Sequence, residues 1–252
     1  MLRLIEDPWM MGILAAWIGY LAGSLSFARI ITRLVTKSWH IEKIHSTVPG
    51  TDLVFGSDSI SATVVSQNLG KKFGCITSLL DMAKVAAPVL IMARLFPEAP
   101  YYLITGLAGP LGHNYPVYHR FKGGRGVSPT IGAMLVINWF GIIIANVAAV
   151  VLGYLTGSIV VSRHGWILLM IPWYLYYFDS FWHWSFIIGV NVLFWLGMSG
   201  DFKRFAKLKR THHLKISQES VSEFLMMGRA YGRFIDNYGF PALLKKLFKK
   251  GV

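Results

Sequence analysis

The sequence predicts an all-α integral membrane protein with seven transmembrane helices, the N-terminus outside and the C-terminus cytoplasmic. Three observations predict it. Of 252 residues only 15% are charged against 54% hydrophobic, and mean hydropathy is +0.49; a soluble domain carries about 25% charged residues. The apolar residues gather in blocks near the roughly 20 residues that cross a bilayer. The formal net charge of +13 sits between those blocks and in the tail, where an excess of Lys and Arg marks the cytoplasmic side. Such a charge pattern suits anionic lipid and phosphorylated small molecules; no nucleic-acid partner is expected.

The first span covers about residues 10–31, MMGILAAWIGYLAGSLSFARII. Arg3 is soon followed by Glu6 and Asp7, unlike the basic start of a cleaved signal, so this segment is expected to be retained. Gly12, Gly19 and Gly23, with Ala15, Ala16 and Ala22, offer a small-residue face for close helix packing. Arg29, Arg33, Lys37 and Lys43 follow, which puts this end inside. Residues 36–55 are mixed and polar, with a turn at Pro49-Gly50. The second span, about 75–96, contains Asp81 and Lys84 three residues apart, hence on one helix face. Charge in a bilayer is costly unless paired, so these two are expected to pair, as a structural link or as part of a binding site. Pro97 and Pro100 make an outer turn, and a third span returns over about 101–118.

The apolar run from Val127 to Val161 is read as two crossings turning near Asn138-Trp139, because a single one would leave the basic C-terminus outside. A sixth, aromatic-belted span follows at about 164–178 and a seventh at about 182–199. Residues 1–200 are thus expected to form the membrane domain and 201–252 a basic cytoplasmic tail. Within the tail, Leu243, Leu244, Leu247 and Phe248 share a helical face among lysines. That pattern reads as an amphipathic helix on the anionic inner leaflet, or as a solubilising tail. The single cysteine, Cys75, begins an apolar run and is read as structural. His212-His213 lacks carboxylate or thiol partners at ligand spacing, so no metal site is expected.

The segment Gly106–Gly132, GLAGPLGHNYPVYHRFKGGRGVSPTIG, carries the chemistry. Lys122 and Arg125 flank a glycine pair, and Gly126 follows. Glycines permit positive φ and close approach, so successive N–H groups can line an anion-binding concavity. A compact ammonium and a bidentate guanidinium both suit phosphate. The plainer reading is a cytoplasmic loop obeying the positive-inside rule. A second polar segment, Gly56–Gly74, holds Ser57, Ser59, Ser61, Thr63 and Ser66 before Lys71-Lys72. It reads either as a surface helix capped by Ser57 or Asp58 or as a second phosphate-facing segment. Nucleotide, zinc-protease, serine-hydrolase and dinucleotide fingerprints are absent from the sequence.

Together Gly23-Ser24 with Phe27, GSDSISATVVSQNLGKKFG at 56–74, LLDMAK at 79–84 and GHNYPVYHRFKGGRGV at 112–127 resemble the membrane acyl-phosphate:glycerol-3-phosphate acyltransferases. The resemblance covers roughly residues 12–200 and is most specific at 112–127, against the family pattern GHxYPVxxxFKGGKGV. It implies seven spans and a cytoplasmic-facing site, and the protein is expected in the cell membrane as a monomer. It also implies transfer of a fatty acyl group from acyl phosphate to glycerol 3-phosphate, giving lysophosphatidic acid without cofactor or metal. The first loop departs from the family pattern GSGNxGATNxxRxLGKKxG. Asp58, Ser59, Ser61, Val64 and Gln67 stand where the family has Gly, Asn, Gly, Asn and Arg. The family's His-Arg-x-Asn-Ile ending is replaced by Ser199-Gly200-Asp201-Phe202. Lys71 or Arg163 is expected to replace the missing guanidinium.

Acyl phosphate is an activated anhydride, so positioning and charge stabilisation can carry the reaction. Ser57, His113, Asn114 and Lys122 are the expected catalytic residues. Gly56, Ser57, Thr63, Lys71, Lys122, Gly123, Gly124 and Arg125 are the expected phosphate-binding set. His113 or Asn114 would orient the acyl carbonyl or the attacking hydroxyl, or His113 would only stitch two spans together. The alternative function is a non-catalytic or transport-type protein that binds phosphorylated lipid precursors. A CDP-alcohol phosphotransferase would need an aspartate-rich helix, and Asp81 is the only acid in its span.

Overall fold

The computed structural model describes residues 7–41, 44–47, 54–57, 59–212, 218, 221–222 and 229–249. Their regular elements are helices apart from one short hairpin. Four stretches are long and apolar enough to cross a membrane: Pro8–Thr36, Lys71–Leu95, Val127–Thr156 and Phe181–Arg204. The chain divides into two compact units, the first comprising Met1–Lys43, Asp58–Phe140 and Tyr174–Ser199, the second Ile44–Ser57, Gly141–Trp173 and Gly200–Val252.

In the first unit α1 (Pro8–Ser24) starts with Asp7 accepting a hydrogen bond from the Trp9 N–H at 2.9 Å, with Pro at the first position, a favourable helix start. The expected small-residue face forms. Gly23 lies on the Gly109 carbonyl and Gly112 on the Tyr20 carbonyl, so α1 packs backbone to backbone on α5 (Tyr101–Asn114). Thr105 Oγ1 donates to the Ala15 carbonyl at 3.1 Å, and the Tyr20 hydroxyl donates to the Tyr115 carbonyl at 2.8 Å. The first apolar segment is interrupted, however: Leu25 is extended and α2 (Phe27–Thr36) begins afresh after Ser26.

Helix α3 (Ala62–Leu69) begins after Ser61, not at the expected Ser57 or Asp58 cap. The reason is tertiary: the Ile60 N–H is taken by the Gly123 carbonyl at 3.0 Å, which holds the chain out of the helix there. Helix α4 (Lys71–Leu95) has 25 residues, about 38 Å at 1.5 Å per residue, enough to cross. Its Asp81 and Lys84 are both buried and paired. Helix α6 (Val127–Thr156) is broken at Asn138, which is non-helical at φ −154 and ψ 74, where the sequence led us to expect a turn.

In the second unit β1 (Ile44–Thr47) pairs antiparallel with β2 (Val54–Ser57), Ile44 facing Ser57. This hairpin is the one addition to the helical class. Its strands carry β-branched and aromatic residues, Ile44, Thr47, Val54 and Phe55, which suit a pleated ribbon. The Pro49-Gly50 turn lies outside the described residues. Helices α7 (Ile159–Tyr177), α8 (Phe181–His212, which begins in the first unit), α9 (Arg229–Tyr238) and α10 (Phe240–Lys249) complete the chain. Ile159, Val221 and Ile235 form a small core, and the Ile159 N–H is met by Gln218 Oε1 at 3.0 Å.

Candidate active site

The glycine loop is held from both sides. It leaves a short 3₁₀ turn (Val117–His119) through Arg120 and Phe121, both left-handed at φ 52 and φ 60. The Lys122 N–H donates to the His119 carbonyl at 3.1 Å, and the Gly124 N–H to the His113 carbonyl at 3.0 Å. The Gly124 amide is therefore engaged inside the protein and is not the free phosphate donor the sequence suggested. The Gly123 amide has no partner among the described residues. Gly126 has φ +73, and a Cβ there would stand 2.7 Å from Asn114 Oδ1, so both conformation and space require glycine. Its carbonyl accepts from Thr130, and α6 starts one residue on at Val127. The loop thus runs directly into a helix N-terminus, whose dipole favours anions.

His113 and Asn114 close α5 beside this loop. His113 is 8% exposed; Nδ1 lies 2.9 Å from Lys84 Nζ and 3.8 Å from Asp81 Oδ1. Nε2 faces Gly124, at the place a Cβ of that residue would occupy. Lys84 Nζ pairs with Asp81 Oδ1 at 2.8 Å and donates to the Leu25 carbonyl, which the break between α1 and α2 leaves free. Asn114 Nδ2 donates to the Leu193 carbonyl at 3.4 Å, while Oδ1 is buried with no partner among the described residues.

Lys122 is exposed, and Gly123, Gly124 and Arg125 are half-buried. The structure thus gathers His113, Asn114, Lys122, Gly123, Gly124 and Arg125 at one place. Thr63 is half-buried on α3, and Lys71 is exposed at the start of α4. Among the described residues neither makes a hydrogen bond to the loop. Gly56 and Ser57 end β2 in the second unit; the Ser57 side chain and Asp58 lie outside the described residues. Arg163 also belongs to the second unit.

Sequence reasoning gave Arg29 only a topological role. Its Nη2 donates to the Lys122 carbonyl at 3.3 Å, and its Nε is buried with no partner among the described residues. Burial, then the charges of Arg29 and Lys84, hold His119 below the usual histidine range. Cations therefore gather at this loop, and the one acid beside them among the described residues, Asp81, is already paired. An arrangement of exposed and half-buried cations, an open amide and a helix start can hold a phosphate and stabilise charge that develops on it.

The family model described as Glycerol-3-phosphate acyltransferase matches residues 13–207. A glycerol-3-phosphate acyltransferase of Myxococcus xanthus (strain DK1622) is 41% identical over 122 residues, 48% of this chain and 57% of that protein. The enzyme of that name from Aquifex aeolicus (strain VF5) is 37% identical over 121 residues, 47% of this chain and 56% of that protein. The chain thus spans little more than half the length of these two relatives. The Pelagibacter ubique (strain HTCC1062) protein of the same name is 33% identical over 187 residues, covering 73% of this chain and 88% of its own. The crystal structure of PlsY (YgiH), an integral membrane glycerol 3-phosphate acyltransferase, in its glycerol 3-phosphate form, superposes with a TM-score of 0.62. That match has 23% identity over 78% of this chain and 92% of the other. Its fold and the apolar helices described above make the present chain an integral, multi-pass membrane protein. Since the family model covers most of its length, from residue 13 to 207, the chain belongs to the glycerol-3-phosphate acyltransferase family.

Proposed function

We propose that the protein transfers a fatty acyl group from acyl phosphate to glycerol 3-phosphate, producing lysophosphatidic acid. The observation that carries this reading is the loop Lys122–Gly126, pinned by His113 and Ile60 so that an ammonium and the Gly123 amide remain for a phosphate. Family membership supports it, as does the fold shared with PlsY, whose crystal structures include a glycerol 3-phosphate form and a lysophosphatidic acid form. Lys122 and Arg125 bind substrate phosphate. His113 and Asn114 orient the acyl carbonyl or the attacking hydroxyl. Ser57, with Gly56, Thr63 and Lys71, belongs to a second phosphate-facing segment. A substrate phosphate accepts the hydroxyl proton, because no Ser-His-Asp arrangement occurs among the described residues of this site. The anhydride is already activated, so orientation and charge stabilisation suffice.

The test is acyl transfer from acyl phosphate to radiolabelled glycerol 3-phosphate by purified protein, beside Lys122→Ala. Lysophosphatidic acid formed by the wild type and lost in the variant is the expected outcome. Glycerol 3-phosphate bound without turnover would identify a binding-only membrane protein instead.

We also read the chain as a monomer with seven crossings, residues 1–200 forming the acyltransferase domain and 201–252 a cytoplasmic tail. The break of α6 at Asn138 supports two crossings there. Exposed Phe240 and Phe248 beside Lys245 and Lys246 on α10 support contact with an anionic leaflet. Lys245→Cys in a Cys75→Ser background should resist impermeant maleimide in intact cells; ready labelling would refute the inside tail.

A further inference from the structure

We propose that the buried Asp81–Lys84 pair fixes the tautomer of His113, with its proton on Nε2, so that His113 serves the site as a hydrogen-bond donor and not as a base. The donor role rests on the function proposed above; the tautomer does not. Lys84 Nζ has three neighbours within hydrogen-bond reach: Asp81 Oδ1 at 2.8 Å, the Leu25 carbonyl oxygen and His113 Nδ1 at 2.9 Å. An ammonium has three N–H donors and no lone pair. The contact with Asp81 Oδ1 is an ion pair without hydrogen-bond geometry, and the hydrogen bonds of Nζ run to the Leu25 carbonyl and to Nδ1, each of which must accept. For Nδ1 that requires a lone pair, and in a neutral imidazole the proton then sits on Nε2.

The competing arrangement, a neutral amine accepting from an Nδ1 proton, would deprive the buried Asp81 carboxylate of its cation, a costly state. Asp81 cannot hold that proton itself, since 3.8 Å separates Oδ1 from Nδ1, beyond hydrogen-bond range. The groups facing the imidazole come from several elements: Asp81 and Lys84 from α4, and Gly124 from the loop. The Ile60 carbonyl oxygen also stands there, 2.9 Å from where a Gly124 Cβ would lie, but no hydrogen bond joins it to Nε2, which has no such partner among the described residues. Its N–H is thus left for an oxygen of the substrate, beside the glycine whose own amide is engaged by the His113 carbonyl. Lys84 and Asp81 are positioning residues; they act through the ring and not on the substrate.

The test reads the tautomer directly. In protein labelled with ¹⁵N-histidine, the His113 signals are assigned by their loss in His113→Gln. A pyrrole-type Nε2 with a pyridine-type Nδ1 near neutral pH is expected. A protonated Nδ1, whether in the other tautomer or in an imidazolium, overturns the proposal. This measurement needs no active enzyme, so it decides the tautomer even if acyl transfer fails altogether. In the active enzyme, His113→Ala should lose about 10²–10³ in kcat, the usual effect of removing one preorganised donor. His113→Gln, which keeps an N–H near the Nε2 position, should recover part of that loss, whereas His113→Glu should not. Greater turnover with Glu than with Gln would show a base and refute the donor role.

Discussion

Arg29 is where a change should separate ligand binding from folding. The one hydrogen bond of its side chain among the described residues, to the Lys122 carbonyl, is long at 3.3 Å, so its loss should cost the fold little. Its charge matters more, because it reaches His119 and belongs to the field over the loop. A charge-assisted hydrogen bond is worth about 1.5–3 kcal/mol. At about 1.4 kcal/mol per tenfold, Arg29→Gln should raise KM for glycerol 3-phosphate or acyl phosphate roughly 10- to 150-fold. The thermal midpoint in detergent should stay close to wild type, and Arg29→Lys should recover part of the affinity. The same reasoning bears on Gln67, exposed on α3 where the family pattern has arginine. If Arg29 supplies the missing guanidinium, Gln67→Arg should not lower KM. Steady-state kinetics on the purified variants decides the matter. Unchanged KM in Arg29→Gln together with a clear fall in Gln67→Arg would refute the relocated cation.

Lys122→Ala should abolish most acyl transfer, whereas Arg125→Lys should retain most of it, since the family pattern has lysine there; initial rates against both substrates check this. His119 is lowered by burial first and then by Arg29 and Lys84. As pH drops below the ordinary histidine value of 6.5, the unfolded chain therefore takes up a proton that the folded one resists. Stability is lost on that side only, and His119→Gln should raise the thermal midpoint at about pH 5.5 but not at about pH 7.5. Gly23→Val would drive a side chain into the Gly109 carbonyl and should destabilise by about 1–3 kcal/mol. Gly200→Ala, with nothing within 4 Å of the added Cβ, should be neutral or stabilising by about 0.5–1 kcal/mol; thermal unfolding compares the two.

The features legible in the sequence were those with local spacing. Asp81 and Lys84 lie one turn apart, so their pairing follows from helix geometry. Gly19 and Gly23 repeat at four residues and form the packing face. The Lys122–Gly126 loop announces itself by composition. Contacts that depend on distant segments were not legible. Nothing in Arg29 distinguishes it from Arg33 until α2 is placed against Lys122. The start of α3 moved to Ala62 because a carbonyl 63 residues away holds Ile60. The Gly124 amide looked free for phosphate because the His113 carbonyl that takes it belongs to another element. The hairpin from Ile44 to Ser57 was missed because each strand has only 4 residues, too few to show a period.

The break at Leu25 also ties the loop to α5. A continuous helix would keep that carbonyl for its own backbone; the interruption hands it to an ammonium 59 residues later. Leu25, Asp81 and Lys84 meet through the break and α4 alone, whereas the Nδ1 acceptor of Lys84 is not on these elements. That acceptor arrives with α5, and the same residue brings the carbonyl that fastens Gly124. The shape of the glycine loop therefore depends on α5, a 14-residue helix, being in place.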